Sequence, residues 1–283
     1  MKPLAFYVDS PFYFEQFEKA DFILREFPDG ESYLKINADV KNREIFIFNS
    51  LNNPNQKILP LLFLVKYLKE QGTKHITLAS PYLPYMRQDK IFNPGEVLSS
   101  KYFAELLSDH IDKLITVDPH LHRYKNLSEI YRCENKVLHA TNEIADYIKH
   151  NIKNPIIIGP DAESEQWAKE IADDVGAPYV IAQKKRMNDY EVDMLIPGIE
   201  KFKKNTPVLI DDIISTAQTM IKAVSALRIL GFAPPVCIGV HAVFAGDAYE
   251  NLVAAGPEKI ITCNTIKHSS NQIDLSDLLA SAF

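Results

Sequence analysis

The sequence predicts an α/β fold built as two similar halves in tandem, each a mostly parallel sheet flanked by helices, and three observations carry that prediction. Its 283 residues exceed one ordinary domain, since domains run to about 150 residues. Short apolar runs alternate with longer amphipathic stretches, the pattern of buried parallel strands covered by crossover helices. The alternation then restarts near residue 140, with no Gly/Ser linker at the division. The halves are expected at 1–140 and 141–270, with the tail 271–283 completing the first.

In the first half, "REIFIFN" (43–49), "HITLAS" (75–80) and "KLITVD" (113–118) read as strands, and helices fit at 56–71 and 98–110. "LAFYV" and "ESYLKI" read as additional edge strands. The second half gives strands at 155–160, 179–183, 208–212, 236–241 and 259–263, with helices at 141–151, 163–174, 217–230 and 247–255. Several strands run into polar clusters, "SPYLPYMRQDK", "VDPHLHR", "GPDAES" and "DDIISTAQT". In open parallel sheets that carboxyl edge is where loops and helix N-termini converge on ligands.

Composition narrows the function classes. With 46% hydrophobic and 24% charged residues the chain reads as an ordinary soluble globular protein. A formal charge of −6 disfavours nonspecific nucleic-acid binding. The longest greasy run, "ILPLLFLVKYL", is broken by Lys66 and reads as a core helix rather than a membrane span. "MKPLAFYVDS" lacks the apolar core of a signal peptide. Cys133, Cys237 and Cys263 are too few and scattered for a disulfide framework or zinc site. A cytoplasmic protein without membrane or nucleic-acid partners is the expectation.

The most informative stretch is "VLIDDIISTAQTM", residues 208–220. It sets Asp211 and Asp212 side by side where a buried strand is expected to give way to a loop. Like charges in contact repel, so the pair is either solvated or holds something cationic. Ser215, Thr216 and Thr219 follow at a helix start, where unpaired amides and the helix dipole favour an anion. The same residues also suit an ordinary cap, with Ser215 or Thr216 closing the helix and both acids facing water. Elsewhere "PDG" is a turn signal. Arg87 and Gln88 are either a solvated run or a phosphate fork. "HLH" offers two histidines, Asp161 suits a helix cap, and Lys184, Lys185 and Arg186 are the chain's tight basic triplet.

"VLIDDIISTAQTM" resembles the 5-phosphoribosyl 1-diphosphate (PRPP) loop shared by type I phosphoribosyltransferases and ribose-phosphate pyrophosphokinases. Five further segments, in order, resemble the second family: "EFPDGESYLKI", "PYMRQDKIF", "VDPH", "GPDA" and "QKKR". The resemblance implies two tandem phosphoribosyltransferase-like domains, an ATP side followed by a ribose 5-phosphate side. It implies Mg²⁺-dependent transfer of the ATP pyrophosphoryl group to ribose 5-phosphate by a homo-oligomer of at least two subunits. Phe27, Asp29 and Glu31 would contact adenine from a neighbouring subunit. Arg87, Gln88 and His120 would bind the rest of ATP, leaving His122 without a counterpart. His120 and Asp161 would meet the metal. Lys184 and Arg186 would close over the reacting phosphates, followed by a polar lid-like "MNDYEVDM". Asp211 and Asp212 would take the ribose hydroxyls, and Ser215, Thr216, Ala217, Gln218 and Thr219 its phosphate.

The chain departs from that pattern in four places. Gln218 stands where the family usually has glycine, as often does Ala217, and Glu163 and Ser164 replace glycines after the Pro-Asp pair. A Gln at a position of positive φ would be costly or would have to point outward. A noncatalytic regulatory subunit, or less favourably a phosphoribosyltransferase, is the alternative.

Overall fold

The computed structural model describes residues 2–186 and 192–283; of residues 184–186, 192 and 193 only the backbone is described. The chain separates into two compact units, Met1–Leu138 with Ser276–Phe283, and His139–Leu275. No helix among the described residues is long and apolar enough to cross a membrane.

The first unit runs β1 (Leu4–Asp9), β2 (Glu18–Lys19), β3 (Phe22–Glu26), β4 (Ser32–Ile36), β5 (Glu44–Asn49), α1 (Pro54–Glu70), β6 (His75–Ala79), α2 (Ser99–Ser108), β7 (Lys113–Val117) and β8 (Glu134–Leu138). Its sheet has the order β2-β1-β5-β6-β7-β8, with every pairing parallel. Ile45, Ile47, Phe48, Ile76, Leu78, Leu114 and Ile115 are inaccessible to solvent. Burial on both faces is why these strands read as continuous apolar runs rather than as alternation.

The two predicted edge strands fare differently. "LAFYV" lies inside the sheet, because the two-residue β2 takes the edge beside it. "SYLKI" belongs to no edge of that sheet; it pairs antiparallel with β3 as a separate hairpin, in the register Phe22↔Ile36 to Glu26↔Ser32. β8 carries Glu134, Asn135 and Lys136 before its two apolar residues. That polarity hid an outer strand whose faces are only partly covered.

The second unit comprises α3 (Thr141–Asn151), β9 (Pro155–Gly159), α4 (Glu165–Val175), β10 (Tyr179–Ile181), β11 (Gln183–Arg186), β12 (Val192–Leu195), β13 (Thr206–Ile214), α5 (Gln218–Ile229), β14 (Val236–Ala242), α6 (Ala248–Ala255), β15 (Lys259–Cys263) and β16 (Asn271–Ile273). Its parallel sheet has the order β10-β9-β13-β14-β15-β16. The run predicted as one strand at 179–183 divides at Ala182: β10 stays in the main sheet, and β11 turns away to pair antiparallel with β12. Because β16 pairs with β15, residues 271–275 stay with the second unit, and α7 (Ser276–Ala280) onward belongs to the first. All three thiols are free, and burial pushes that of Cys237 up to about 12.

Within the first unit the C-terminal residue closes an aromatic cluster. The Phe283 ring meets Phe14, Phe17, Phe46 and Phe48 edge-on, at centroid distances of 5.0, 5.1, 5.5 and 5.5 Å. Such perpendicular contacts add to area burial. Replacing Phe283 with Ala is expected to cost about 2 kcal/mol, measured as an earlier urea midpoint. An unchanged midpoint would show that the ring contributes nothing.

Candidate functional site

The second unit has its topological switch at β9: the chain goes from β9 outward to β10, then returns to the other side of β9 as β13. Where strand order reverses, connections leave in opposite directions and open a crevice at the carboxyl ends. Asp161 follows β9, and Asp211 and Asp212 lie on β13, so all three acids sit at this switch.

The aspartates do not stand where the strand ends. β13 pairs with β9 only as far as Leu209↔Ile158, but with β14 it continues through Asp211↔Gly239 to Ile214↔Ala242. The pair is therefore held by strand geometry on one side, with its β9 side left open. Gly239 lacks a side chain opposite Asp211 for a steric reason: a Cβ there would come within 2.7 Å of the Ile214 side chain. Gly159 is similar, since a Cβ would lie 2.5 Å from Ser164 Oγ and would push away the turn that carries Asp161.

Both acids are half-buried. Asp211 Oδ1 accepts from the Asp212 amide (3.1 Å) and Asp212 Oδ1 from the Ile213 amide (2.8 Å). Burial, then the negative charges of Asp212 and Asp161, push the Asp211 carboxyl well above the usual range. A hydrogen bond between the Asp211 and Asp212 side chains pushes the same way, because the pair binds a proton that neither would hold alone. Asp161 heads a short 3₁₀ turn, Ala162–Ser164: its carboxylate accepts from the Glu163 amide (3.2 Å), and Ser164 Oγ donates to the Asp161 carbonyl (2.6 Å). The capping role open to Asp161 from sequence is thus present. Glu163 and Ser164 belong to that turn, Glu163 exposed and Ser164 buried.

The turn after β13 decides between its two glycine positions. Ala217, not Gln218, has the left-handed backbone, at φ 59° and ψ 3°. An alanine there costs roughly 1–2 kcal/mol. Gln218 is the first helical residue of α5 and is exposed, so its side chain is accommodated. No side chain caps α5, so neither Ser215 nor Thr216 closes the helix, and its first turn holds no acid. The leading amides of α5 are orphan donors of the kind that bind anions. Sequence reading missed what holds this turn in place. The Phe244 amide donates to the Ile214 carbonyl (2.9 Å) and the Ala245 amide to the Ser215 carbonyl (3.0 Å), so the loop after β14 clasps the turn from behind. The polar break "FAGDA" after β14 was its only signal.

Lys184, Lys185 and Arg186 lie on β11, paired with Met194, Asp193 and Val192. Their side chains lie outside the described residues, as does the whole of 187–191 within the lid-like stretch.

In the first unit the switch lies between β1 and β5, whereas Arg87 and Gln88 follow β6 and His120 follows the adjacent β7. Arg87 is exposed, Gln88 and His120 half-buried. His120 has φ 56° and Asp118 φ 37°, both uncommon away from glycine. The rings of His120 and His122 meet at 4.0 Å, with Nδ1 of the first 3.1 Å from Nε2 of the second. His122, which the family pattern left aside, therefore contacts the histidine it favoured. Arg123 bonds both carboxylate oxygens of Asp89, at 2.6 and 2.8 Å.

Phe27, Asp29 and Glu31 form the exposed tip of the β3–β4 hairpin. The Phe27 amide donates to the Glu31 carbonyl (2.7 Å), the Gly30 amide to the Phe27 carbonyl (2.9 Å), and the Glu31 amide to Asp29 Oδ1 (3.2 Å). Gly30 has φ 91°, which the tight turn requires and other residues resist. The Arg25 guanidinium lies over both the Phe27 and Tyr33 rings, at 4.5 and 4.4 Å.

Comparison with known proteins agrees with this architecture. Residues 14–110 match the N-terminal domain of ribose phosphate pyrophosphokinase, and residues 124–277 the phosphoribosyl transferase domain. A ribose-phosphate pyrophosphokinase of Saccharolobus solfataricus is 33% identical over 255 residues, covering 89% of this chain and 87% of its own. One from Methanothermobacter thermautotrophicus is 32% identical, covering 90% and 88%. The crystal structure of a phosphoribosylpyrophosphate synthetase from Mycobacterium smegmatis superposes with a TM-score of 0.83 at 25% identity, covering 94% of this chain and 90% of that one. With both halves matched and relatives aligned over nine-tenths of its length, the chain belongs to the ribose-phosphate pyrophosphokinase family.

Proposed function

We propose that this chain transfers the pyrophosphoryl group of ATP to the 1-hydroxyl of ribose 5-phosphate, forming 5-phosphoribosyl 1-diphosphate and AMP. The observation that carries this reading is the half-buried Asp211–Asp212 pair followed by an uncapped helix start. That spacing suits a ligand with vicinal hydroxyls at one end and a phosphate at the other.

On this reading the leading amides of α5 and the groups of Ser215, Thr216, Ala217, Gln218 and Thr219 hold the 5-phosphate, while Asp211 and Asp212 accept hydrogen bonds from the ribose diol. Anchoring the phosphate away from the reacting carbon fixes the attacking hydroxyl, which lowers the entropic part of the barrier. The 1-hydroxyl oxygen bonds to the β-phosphorus as the bond between that phosphorus and the oxygen bridging to the α-phosphate breaks; the hydroxyl proton passes to solvent, and AMP leaves with the bridging oxygen. Arg87, Gln88 and His120 place the ATP. Lys184 and Arg186 meet the charge that develops on the transferred phosphoryl oxygens, where positioned cations are most effective.

Mg²⁺ fits this chain. The carboxylates of Asp161, Asp211 and Asp212 are the hard oxygen donors it takes, and a dication would offset both the burial and the neighbouring acid charges that raise the Asp211 carboxyl. The His120 nitrogen is a softer donor and suits Mg²⁺ less well than these oxygens. When bound, the ion neutralises polyphosphate charge and orients it. The exposed hairpin tip at Phe27, Asp29 and Glu31 leaves these side chains open to a neighbouring chain, which supports adenine contact across subunits in a homo-oligomer of at least two chains.

The left-handed Ala217 favours a second reading, a noncatalytic subunit that binds and regulates a partner, because its strain falls on the phosphate turn itself. A phosphoribosyltransferase fits less well, since it needs one such domain and a base-recognition hood. Release of AMP by the purified chain from ATP and ribose 5-phosphate separates these readings: steady release supports the synthetase, and its absence favours the regulatory subunit. Consumption of PRPP with a free base would favour the transferase.

Lys184→Ala is expected to lower kcat by about 100-fold or more while KM for ATP stays within roughly threefold; unchanged turnover removes Lys184 from the mechanism. A separate outcome concerns pH. Because the folded-state Asp211 carboxyl is raised above its ordinary value of 3.8, the folded chain binds that proton more tightly than the unfolded chain does. Its contribution to stability is present in acid and is lost as pH rises from about 4 through the raised folded value. Asp211→Asn is therefore expected to melt roughly 3 °C or more above the unsubstituted chain at pH 7 in EDTA, with the gap closing toward pH 4. Mg²⁺ should raise the melting point of the unsubstituted chain more than that of the variant. A variant that melts lower at pH 7 contradicts the repulsion.

A further inference from the structure

We infer that Arg123 is a positioning residue for the nucleotide, one that locks the Arg87–Gln88 segment against the His120 turn through Asp89. The inference rests on the reading of Arg87, Gln88 and His120 as nucleotide-binding residues. The polar cluster "VDPHLHR" ends on Arg123, but the family resemblance assigned that residue no role.

The pair is unlike the exposed ion pairs elsewhere on the chain. The Asp89 side chain is 1% exposed and that of Arg123 37%. Exposed pairs such as Lys74–Glu44 contribute little and exchange freely with water. A buried carboxylate left alone is strongly destabilising, so Asp89 makes the contact compulsory. Both Asp89 oxygens accept from the same Arg123 nitrogen, at 2.6 and 2.8 Å, which fixes the separation of the two segments.

Each segment also carries local order of its own. On the β6 side, the Gln88 amide donates to the Tyr85 carbonyl (3.3 Å), and the Ser100 amide, in the first turn of α2, to the Gln88 carbonyl (3.4 Å). Farther along, Glu96 accepts from the Phe92 and Asn93 amides (2.7 and 3.1 Å) and from Asn93 Nδ2 (2.6 Å). On the β7 side, Asp118 and His120 hold positive φ with tight local bonds, the His120 amide to the Asp118 carbonyl at 2.9 Å and the His122 amide to the His120 carbonyl at 3.2 Å. A turn in sparsely populated backbone persists only when its surroundings hold it there. The Arg123 pair is such a restraint, three residues beyond His120. The Arg123 guanidinium also lies 5.8 Å from the Phe92 ring, which Lys90 approaches at 4.7 Å, a second tie between the same segments.

The test is steady-state kinetics on the full chain, with KM for Mg-ATP, KM for ribose 5-phosphate, kcat and melting point measured for Arg123→Ala, Arg123→Lys, Asp89→Asn and the control Arg87→Ala. Arg123→Ala is expected to raise KM for ATP about tenfold and leave KM for ribose 5-phosphate within roughly twofold, with partial recovery in Arg123→Lys. If Arg87→Ala raises KM for ATP while a folded Arg123→Ala does not, the inference falls and the reading of the nucleotide side stands. A lower melting point with unchanged KM also overturns it, because the pair is then only structural. If Arg87→Ala leaves KM for ATP unchanged, the nucleotide reading falls and this inference with it. Should Arg123→Ala fail to fold, Arg123→Lys and Asp89→Asn decide: unchanged KM for ATP in both overturns the inference.

Discussion

Two carboxylates placed next to each other inside a strand, with a third acid near enough to add to their repulsion, are costly to keep fully ionised, and much of the second unit is arranged around that constraint. Asp211 and Asp212 are held by the β13–β14 ladder beyond the last pairing with β9, so they cannot relax away from each other as loop residues would. Gly239 leaves room for the Ile214 side chain, and Gly159 lets the Asp161 turn approach. Burial first, and this crowding of charge second, raise the proton affinity of Asp211. On the proposed function, cation and diol binding would replace the proton with interactions useful for catalysis, so that the geometry that costs stability would also select the ligand.

On the proposed function, the anion side of the site would be formed by what is left uncapped. Asp161 caps its own turn, but α5 begins with no side-chain cap and no acid in its first turn. Its entry residue, Ala217, adopts a backbone that favours glycine, and amide bonds from Phe244 and Ala245 to the carbonyls before it hold the turn in that shape. Strain at one residue, offset by a clasp from a distant loop, leaves the leading amides of α5 beyond the reach of the intrahelical bonds, the kind of donor that suits an anion.

The fold was largely legible because parallel strands buried on both faces leave continuous apolar runs. "PIIIG" and "VCIGVHA" could hardly be anything else. Where burial is partial the signal fades: β8 opens on Glu, Asn and Lys, and β3 and β4 pair only with each other. Family resemblance placed the acids, the turn and the basic triplet, but local pattern could not say that β13 runs on through the aspartates, since Ile213 and Ile214 read equally well as loop or strand. Which of Ala217 and Gln218 holds the positive φ was open from sequence, because a glycine-rich family loop does not show which of its positions needs the freedom. Asp89 and Arg123 lie 34 residues apart on different loops, and nothing short of the folded chain brings them together.

Repulsion between the paired acids in the free protein, and its relief by the ligand, is seen most directly in the carboxyl ¹³C resonances of Asp211 and Asp212, followed against pH alone and with Mg²⁺ and ribose 5-phosphate. One resonance is expected to titrate well above the usual carboxylate range in the free chain and to move down once cation and sugar phosphate are bound. Ordinary titration of both residues in the free chain, or no response to the ligands, would contradict it.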